Sequence, residues 1–283
     1  MEVYTWRVRE GDTDVRLQNA VEKGLPLLPQ RFVRQAFDKK DVKVNGRRAR
    51  SDERVTAGDE ISVYTPFFPD VKAVYEDDRV LIVHKPQGLC VEDENAGMSL
   101  VSLMEKRAKG AYRPRLCHRL DTQTCGLIVL VKDDESESVM LKAFKERTLH
   151  KVYECLVRGE MRPPRAVCNA FLVKNAKEAR VRIVSHETPG SKPIVTGYEV
   201  IGRDGELSRL RVDLITGRTH QIRAHMAYLA HPLLGDDVYG DRALNKRLKA
   251  QGLKLCAVKL TFDALEAPLD YLNGRSFEID APF

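Results

Sequence analysis

Residues 115–126 of the chain read RLCHRLDTQTCG, and the apolar run LIVLV follows at residues 127–131. The apolar run is typical of a buried strand, so the stretch before it is predicted to be a loop held by a rigid element. Asp121 stands in this loop among three residues that can carry positive charge, Arg115, His118 and Arg119. Such neighbours would keep the carboxylate ionised and attract an anionic substrate. The alternative is an ordinary surface ion pair, which contributes little.

The loop resembles the active-site motif of the RluA family of pseudouridine synthases. The usual form is His-Arg-Leu-Asp, two variable positions around a Thr, and then Ser-Gly. Residues 118–121 match the first part, and Thr124-Cys125-Gly126 stands at the end, with Cys125 where Ser is commoner. The related RsuA branch has Gly-Arg-Leu-Asp, so His118 favours the RluA branch.

Composition places the chain among globular proteins. It has 283 residues, 43% of them hydrophobic, and a formal net charge of +6, which is consistent with nucleic-acid binding without being diagnostic of it. None of the six cysteines forms a Cys-x-x-Cys pair, so we expect reduced thiols and no zinc framework. The charged N-terminus and the lack of a long apolar run predict a cytoplasmic protein with no membrane partner.

The chain is predicted to divide at residues 66–70, where Pro66-Phe67-Phe68-Pro69 forms a linker. Residues 1–65 are patterned as a small α/β domain with helices near 15–21 and 31–37. A strand from Val42 enters an Asn-Gly turn. This block resembles the RNA-binding domain of ribosomal protein S-four, whose hallmarks match Val42-x-Val44-Asn45-Gly46 and Gly58-Asp59-x-Ile61. Residues 71–283 would then form the catalytic domain.

A basic patch lies in the first block. Residues 31–50 contain eight Lys or Arg and two acids, so this segment alone accounts for the net charge of the whole chain. We expect Arg31, Arg34 and Arg47 to contact RNA phosphates. The alternative is a merely solvated helix face.

The second block is patterned as α+β, and the resemblance implies the pseudouridine synthase fold with a mixed, largely antiparallel sheet. Two short strands around an acidic turn are predicted over residues 73–85, where His84 precedes Lys-Pro in place of the family's usual Asn. A helix is predicted from Asp134 to about Arg147. Strands are predicted at 151–157 and in a hairpin over 196–215.

Tyr153 has two interpretations. On an alternating strand, a Tyr is usually a core or cross-strand aromatic. Its ring could instead stack on a base extruded into a pocket. The family has a Lys-x-Tyr element whose Tyr contacts the target base, and Lys151-Val152-Tyr153 matches it.

Residues 216–226, TGRTHQIRAHM, lead into a predicted helix with Ile222, Met226 and Leu229 on its apolar side and Thr219 as N-cap. Arg223 lies beside this stripe, where it can point inward toward an acid, or it can be an ordinary exposed helical Arg. The segment resembles the family's Gly-Arg-x-His-Gln-Ile-Arg motif, whose final Arg pairs with the catalytic Asp. The resemblance therefore pairs Arg223 with Asp121. The continuation at residues 231–240 also matches the family.

Three late histidines, His220, His225 and His231, raise the question of a metal site. Their spacing does not place them on one helix face, so we expect no metal. Near the C-terminus, Leu255-Cys256-Ala257 resembles the family's Leu-His-Ala strand, with Cys256 replacing His. Leu255 is then expected to line the uracil pocket, although a core Leu is the default.

The resemblance implies an RNA pseudouridine synthase that needs no cofactor. Asp121 would act covalently or as a base on the sugar, Arg223 would orient it, and Tyr153 would stack on the base. Contacts to the RNA are expected from six further residues of the second block, His118, Arg119, Arg218, His220, Gln221 and Leu255. The substrate is expected to be large-subunit ribosomal RNA, with tRNA as the alternative, and the protein to be a monomer.

Two other functions compete with this prediction. A non-catalytic RNA-binding or ribosome-assembly factor could keep the fold, but it would not need Asp121, Tyr153 and Arg223 together. A cysteine hydrolase could use Cys117 or Cys125 with His118, but adjacent residues on an extended chain point in different directions.

Overall fold

Two units make up the chain in the computed structural model, which describes residues 1–93, 95–175 and 180–283. Met1–Lys72 and Gly88–Pro114 form the first unit, and Ala73–Gln87 and Arg115–Phe283 form the second. The segment Gly88–Pro114, which follows the sequence-based linker, thus packs with the N-terminal residues. The domain boundaries proposed from the sequence stay a prediction.

The described residues of the first unit form short strands, α-helices and a short 3-10 helix at Glu10–Asp12. Its strands are β1 (Glu2–Arg7), β2 (Val15–Arg16), β3 (Val42–Val44), β4 (Arg47–Arg48), β5 (Arg54–Val55) and β6 (Glu60–Thr65). Its helices are α1 (Leu17–Gly24), α2 (Gln30–Asp38) and α3 (Leu100–Ala108).

A four-stranded sheet of order β1-β6-β3-β4 forms the centre of the first unit. Asn45 and Gly46 adopt positive φ angles of 49° and 77° between β3 and β4, so the predicted Asn-Gly turn is confirmed. Helix α2 covers the predicted segment 31–37 and buries Val33 and Ala36. Its apolar side therefore faces the core while its cations remain outside.

The second unit is built on a large sheet. Its strands are β7 (Ala73–Glu76), β8 (Val80–Lys85), β9 (Arg115–Leu116), β10 (Cys125–Val131), β11 (Leu149–Arg158), β12 (Arg165–Asn175), β13 (Arg180–Val184), β14 (Lys192–Asp204), β15 (Leu207–Asp213), β16 (Leu255–Phe262) and β17 (Ser276–Glu278). Its helices are α4 (Asp134–Glu146), α5 (Gln221–Tyr228) and α6 (Arg242–Arg247).

The sheet order is β13-β12-β14-β15-β11-β16-β10-β8-β7, with β17 beside β16 and β9 beside β10. The pairing of β10 with β16 is parallel, and the other pairings of described strands in this sheet are antiparallel. The predicted α+β class with a mixed, largely antiparallel sheet is confirmed. The predicted hairpin is β14 and β15, joined by a turn at Gly205.

Strand β10 is the central element, and all seven of its residues are buried. Its side chains pack with those of β8 and with Met140 and Ala143 of α4. Helix α4 begins where the sequence predicts, because the Asp133 side chain accepts a hydrogen bond from the Ser136 amide and acids occupy the first turn. The helix fixes one face of the strand that follows the Asp121 loop.

Gly126 allows β10 to approach β16 closely. Its φ angle is +119°, and a Cβ atom placed there would lie 2.3 Å from the Ala257 carbonyl oxygen. Only glycine fits this backbone position. Among the described residues, no helix is long and apolar enough to cross a membrane.

Candidate active site

Asp121 lies in the loop between β9 and β10, as predicted from the sequence. Its carbonyl oxygen accepts a hydrogen bond from the Thr124 amide at 3.0 Å, which closes a tight turn before the strand. One carboxylate oxygen lies 3.4 Å from Arg223 Nη1 and 3.7 Å from His220 Nε2. The side chain is 26% exposed, so the carboxylate is held from one side and open to a ligand from the other.

Helix α5 carries Arg223 toward this carboxylate. Ile222 and Met226 are buried as the apolar stripe predicted, whereas Leu229 is half-buried at the C-cap after the helix. Arg223 itself is only 4% exposed. The predicted cap was wrong, since the helix begins after His220, which has a left-handed backbone and makes no side-chain cap. The Gln221 side chain accepts a hydrogen bond from the Arg218 amide instead. This geometry tightens the loop that leads into the helix.

The main partner of Arg223 is Asp236, which the sequence argument did not single out. Arg223 Nε and Nη2 donate to the two Asp236 oxygens at 2.7 and 2.8 Å, and both side chains are buried. Asp236 also accepts hydrogen bonds from the Val238 and Tyr239 amides. Burial acts to raise the pKa of Asp236, but the hydrogen bonds from Arg223 and these amides outweigh it and lower the pKa. Asp236 therefore stays ionised and fixes the guanidinium plane.

The sequence contained a signal for Asp236. It ends the segment HPLLGD at residues 231–236, which matched the family pattern. The match alone did not indicate what the Asp236 side chain does. Its contact with Arg223 is seen only in the structure. The expected pairing of Arg223 with Asp121 is present as the longer and more exposed contact.

His220 and Tyr239 form the other wall beside Asp121. His220 Nδ1 and the Tyr239 hydroxyl lie 3.0 Å apart, and the Val181 amide donates to the same hydroxyl at 2.9 Å. Burial lowers the pKa of His220, although the charge of Asp121 opposes the shift. The imidazole is therefore a neutral, positioned polar group.

Tyr153 lies on β11 and is buried. Burial raises the pKa of its phenol, and the negative charge of Asp121 raises it further. Because the charge of Asp121 affects the pKa of Tyr153, these two side chains lie in the same region of the second unit.

Two expected cations do not serve Asp121. His118 stacks on Phe144 with ring centroids 4.4 Å apart, and its Nε2 accepts a hydrogen bond from the Val129 amide. Burial, with the charge of Lys151, lowers the pKa of His118 to about 3, so the ring is neutral. Arg115 pairs with Asp134 and Glu137 of α4. The expectation that these two residues keep Asp121 ionised was therefore wrong, and Arg223 supplies the adjacent charge.

The other candidate RNA contacts differ in exposure. Arg119 and Arg218 are exposed, and neither makes an ion pair within the described residues, so both guanidinium groups are free for a ligand. Gln221 is buried, and its amide donates to the Val195 carbonyl and the Thr196 hydroxyl. Gln221 thus anchors α5 to β14. Leu255 begins β16 and is 3% exposed.

The alternative cysteine site is not assembled. Burial raises the pKa of the Cys117 thiol to about 12, and His118 is turned toward the Val129 amide. Cys125 lies at the start of β10, where its thiol faces the Leu255 carbonyl at 3.5 Å. Neither thiol is paired with His118 as a nucleophile with its base.

The late histidines do not form a metal cluster. His225 is buried with Nδ1 2.9 Å from the Thr196 hydroxyl, and His231 Nδ1 lies 2.8 Å from the Arg158 carbonyl. With His220 directed at Tyr239, each ring has its own protein partner.

In the first unit, Arg31, Arg34 and Arg47 are exposed. Arg31 lies over the Phe32 ring, with 4.9 Å between the guanidinium carbon and the ring centroid. Exposed cations beside an aromatic ring suit a surface that meets phosphates and bases.

Comparisons with known proteins identify the family of this chain. Residues 79–228 match the family described as RNA pseudouridylate synthase. The chain is 32% identical to ribosomal large subunit pseudouridine synthase C of Vibrio cholerae, with 94% of this chain and 89% of that protein covered. It is 30% identical to the Escherichia coli protein of the same name, with 90% and 89% covered.

Two solved human structures share the fold. Human RNA pseudouridylate synthase domain containing 4 matches with a TM-score of 0.61 at 22% identity, over 74% of this chain and 88% of that one. Human RNA pseudouridylate synthase domain containing 1 matches with a TM-score of 0.62 at 24% identity, over 78% and 86%. These likenesses support the architecture of the large sheet.

Proposed function

Since the chain belongs to the RNA pseudouridylate synthase family, we propose that it isomerises specific uridines of large-subunit ribosomal RNA, with Asp121 as the catalytic carboxylate. The observation that carries the assignment is the contact of Asp121 with Arg223, which lies beside a neutral His220 and a buried Tyr153. An enzyme of this family is an isomerase, so the product contains every atom of the substrate.

The reaction places clear demands on the site. The bond between N1 of uracil and the sugar breaks, the base turns, and C5 bonds to the same sugar carbon. C5 loses a proton and N1 gains one. Asp121 either bonds to the sugar or removes a proton from it, and both routes require an ionised carboxylate with one open side. The partial exposure of Asp121 supports this role.

Arg223 is proposed to position Asp121 and hold it ionised. Its Nε and Nη2 are occupied by Asp236, so the remaining Nη1 is presented in a fixed direction. A guanidinium is suited to this task because it is planar and always charged. Asp236 is then a positioning residue that acts through Arg223.

Tyr153 is proposed to face the uracil ring. A buried aromatic ring can stack on a base that has left its helix. Its phenol stays protonated because burial and the charge of Asp121 raise its pKa, so it can donate a hydrogen bond or pass a proton near C5. The exposed Arg119 and Arg218 are proposed to contact the phosphates that flank the extruded nucleotide.

The ribosomal substrate is proposed because both relatives are named as pseudouridine synthases of the large ribosomal subunit. The basic patch of residues 31–50 supports a structured RNA as substrate. The test is pseudouridine mapping of total RNA from cells with and without the gene, with an Asp121→Asn copy as control. Loss of sites in large-subunit ribosomal RNA is expected, and loss confined to tRNA would contradict the proposed substrate.

Location and assembly complete the proposal. A cytoplasmic location fits a ribosomal RNA substrate and the six cysteines, none of which is in a disulfide within the described residues. We expect a monomer, which light scattering coupled to size-exclusion chromatography can check. A non-catalytic RNA-binding factor would have no need for Asp121 to meet Arg223 beside Tyr153.

A further inference from the structure

Strand register brings three metal-ligand side chains together on one face of the large sheet. Cys125 of β10 is paired with Cys256 of the parallel strand β16. His84 of the antiparallel strand β8 is paired with Leu127, two residues beyond Cys125. Because side chains alternate along a strand, residues 125 and 127 share a face, and so do their partners across the ladders.

The distances within this cluster suit a shared cation. The two sulfur atoms and a ring nitrogen of His84 all lie within 4.8 Å of one another. Zinc binds thiolate sulfur at about 2.3 Å and imidazole nitrogen at about 2.0 Å, which separates tetrahedral ligand atoms by roughly 3.5–4 Å. A contraction of up to about 1.3 Å would therefore complete the site.

His84, Cys125 and Cys256 are far apart in sequence, yet their side chains meet at one point in the fold. Long-range strand pairing, and not a local sequence motif, therefore assembles this Cys₂His set.

We propose that Cys125, Cys256 and His84 bind Zn²⁺ through two thiolates and one imidazole, with a water molecule as the fourth ligand. Binding would release the two thiol protons to solvent. The opening lies beside the cluster, where Cys125 and His84 line a pocket of about 330 Å³ together with Gln87, Lys254 and Phe283. This pocket gives the cation an entry path and leaves room for the water.

The strand register separates this zinc from Tyr153, the residue proposed to face the uracil ring. Tyr153 is paired with Ala257, the neighbour of Cys256, and so lies on the opposite face of the sheet from the cluster. The cation would join β8, β10 and β16 just after the Asp121 loop. The site goes beyond the proposed isomerase activity, which needs no metal, and it replaces the expectation of no metal that rested on the spacing of His220, His225 and His231.

The test measures zinc in the full-length protein. The protein is purified under reducing conditions, incubated with zinc or cobalt, separated from free metal and analysed by mass spectrometry for metal content. About one zinc per chain is expected for wild type, and the cobalt form should show thiolate-to-metal charge-transfer absorption. Alkylation of Cys125 and Cys256, mapped by peptide mass spectrometry, should slow when zinc is added.

Variants locate the site. Cys125→Ser, Cys256→Ser and His84→Asn should each weaken zinc binding by at least about tenfold in competition with a chromophoric chelator. Cys168→Ser is the matched control, because this thiol lies on β12 outside the cluster, and it should bind zinc like wild type. Cys125→Ser is expected to fold, since Ser is the family's commoner residue there.

Three results would overturn the assignment. One is wild-type protein that retains no zinc and shows no protection of its thiols. A second is equal zinc binding by wild type and the folded Cys125→Ser variant. The third is a Cys125–Cys256 disulfide that persists in reductant without bound zinc, which would make the cluster a redox pair. None of these results bears on the isomerase assignment, which pseudouridine mapping tests separately.

Discussion

Arg223 holds Asp236 through two hydrogen bonds and leaves a single nitrogen for Asp121. The two contacts to Asp236 measure 2.7 and 2.8 Å, whereas the contact to Asp121 measures 3.4 Å. The guanidinium is therefore oriented by a buried acid and presented to a partly exposed one. The proposed catalytic carboxylate keeps an open side because its cation is fixed by a different residue.

Removal of the Asp121 charge should abolish catalysis and spare RNA binding. Asp121→Asn keeps the size and the hydrogen-bonding capacity of the side chain but cannot attack or deprotonate the sugar. We expect pseudouridine formation below detection and an RNA dissociation constant close to that of wild type. A single-turnover assay and filter binding measure the two quantities. Turnover within tenfold of wild type would refute the assignment.

Removal of the Asp236 carboxylate should lower both stability and activity. Asp236→Ala removes the buried bidentate partner of Arg223 and leaves only the longer contacts to Asp121 and Asp237, which costs on the order of 3 kcal/mol of unfolding free energy. Denaturant unfolding and a single-turnover assay measure the two effects. Asp237→Ala is the matched control, because that side chain is 76% exposed and lies 3.5 Å from Arg223. Similar stability losses in both variants would contradict the role of Asp236.

Arg223→Lys separates charge from geometry. Lys keeps the positive charge but cannot bind Asp236 in the bidentate manner and face Asp121 at the same time. The single-turnover rate at saturating RNA should fall at least about tenfold with unchanged RNA affinity. A wild-type rate in a folded Arg223→Lys protein would show that charge alone suffices.

Stability should decline in mild acid, and the buried His225 should contribute to the decline. Burial lowers its pKa to about 4 in the folded protein, below the usual value of about 6.5. The unfolded chain therefore binds a proton first, so stability is complete above about pH 6.5 and falls as the pH drops toward 4. Denaturant unfolding across this range should show the loss, and His225→Gln should reduce it, because the part that comes from the buried His118, whose pKa is lowered to about 3, remains. His186→Gln, at an exposed position, should leave the pH dependence unchanged.

The basic patch should control salt dependence without controlling chemistry. Each phosphate contact on single-stranded RNA contributes about 0.7 to the slope of log K against log salt. Replacement of Arg31, Arg34 and Arg47 with Ala should therefore reduce the slope by about 2, while the single-turnover rate at saturating RNA stays near normal.

A matched control for the patch uses cations that already have acidic partners. Lys142, Arg162 and Arg247 are paired with Glu266, Glu160 and Glu206 in the second unit. Their joint replacement with Ala should change the salt slope less than the patch variant does. An unchanged slope in the patch variant would mean a solvated surface, and a lost saturating rate would mean that the patch helps shape the catalytic site.

Gly126 should tolerate no side chain. Gly126→Ala would place its Cβ against the Ala257 carbonyl in a left-handed backbone, so we expect a loss on the order of 3 kcal/mol. Thermal unfolding measures the effect. Gly11→Ala is the control, since Gly11 has open space and an ordinary φ angle. Equal melting temperatures would contradict the close approach of β10 and β16.

Local pattern in the sequence was enough to predict the elements and the reactive loop. Alternation, capping acids and turn residues depend on neighbours in the chain, so they identified β10, α4, the hairpin of β14 and β15, and the inward side of α5. The His-Arg-Leu-Asp resemblance identified Asp121, and the Gln-Ile-Arg segment identified Arg223. Each of these motifs spans only a few consecutive residues, so it can be recognised without knowledge of the fold.

Only the tertiary structure decided which side chains meet. Asp236 binds Arg223, and His118 stacks on Phe144 as a neutral ring. Long-range packing decides which side chains are buried, and burial shifts the pKa of a side chain and so decides its charge. Likewise, Cys125, Cys256 and His84 form a cluster only through the register of three strands that are distant in sequence. Sequence spacing cannot report such contacts, because pairing across a sheet is fixed by the packing of the whole unit.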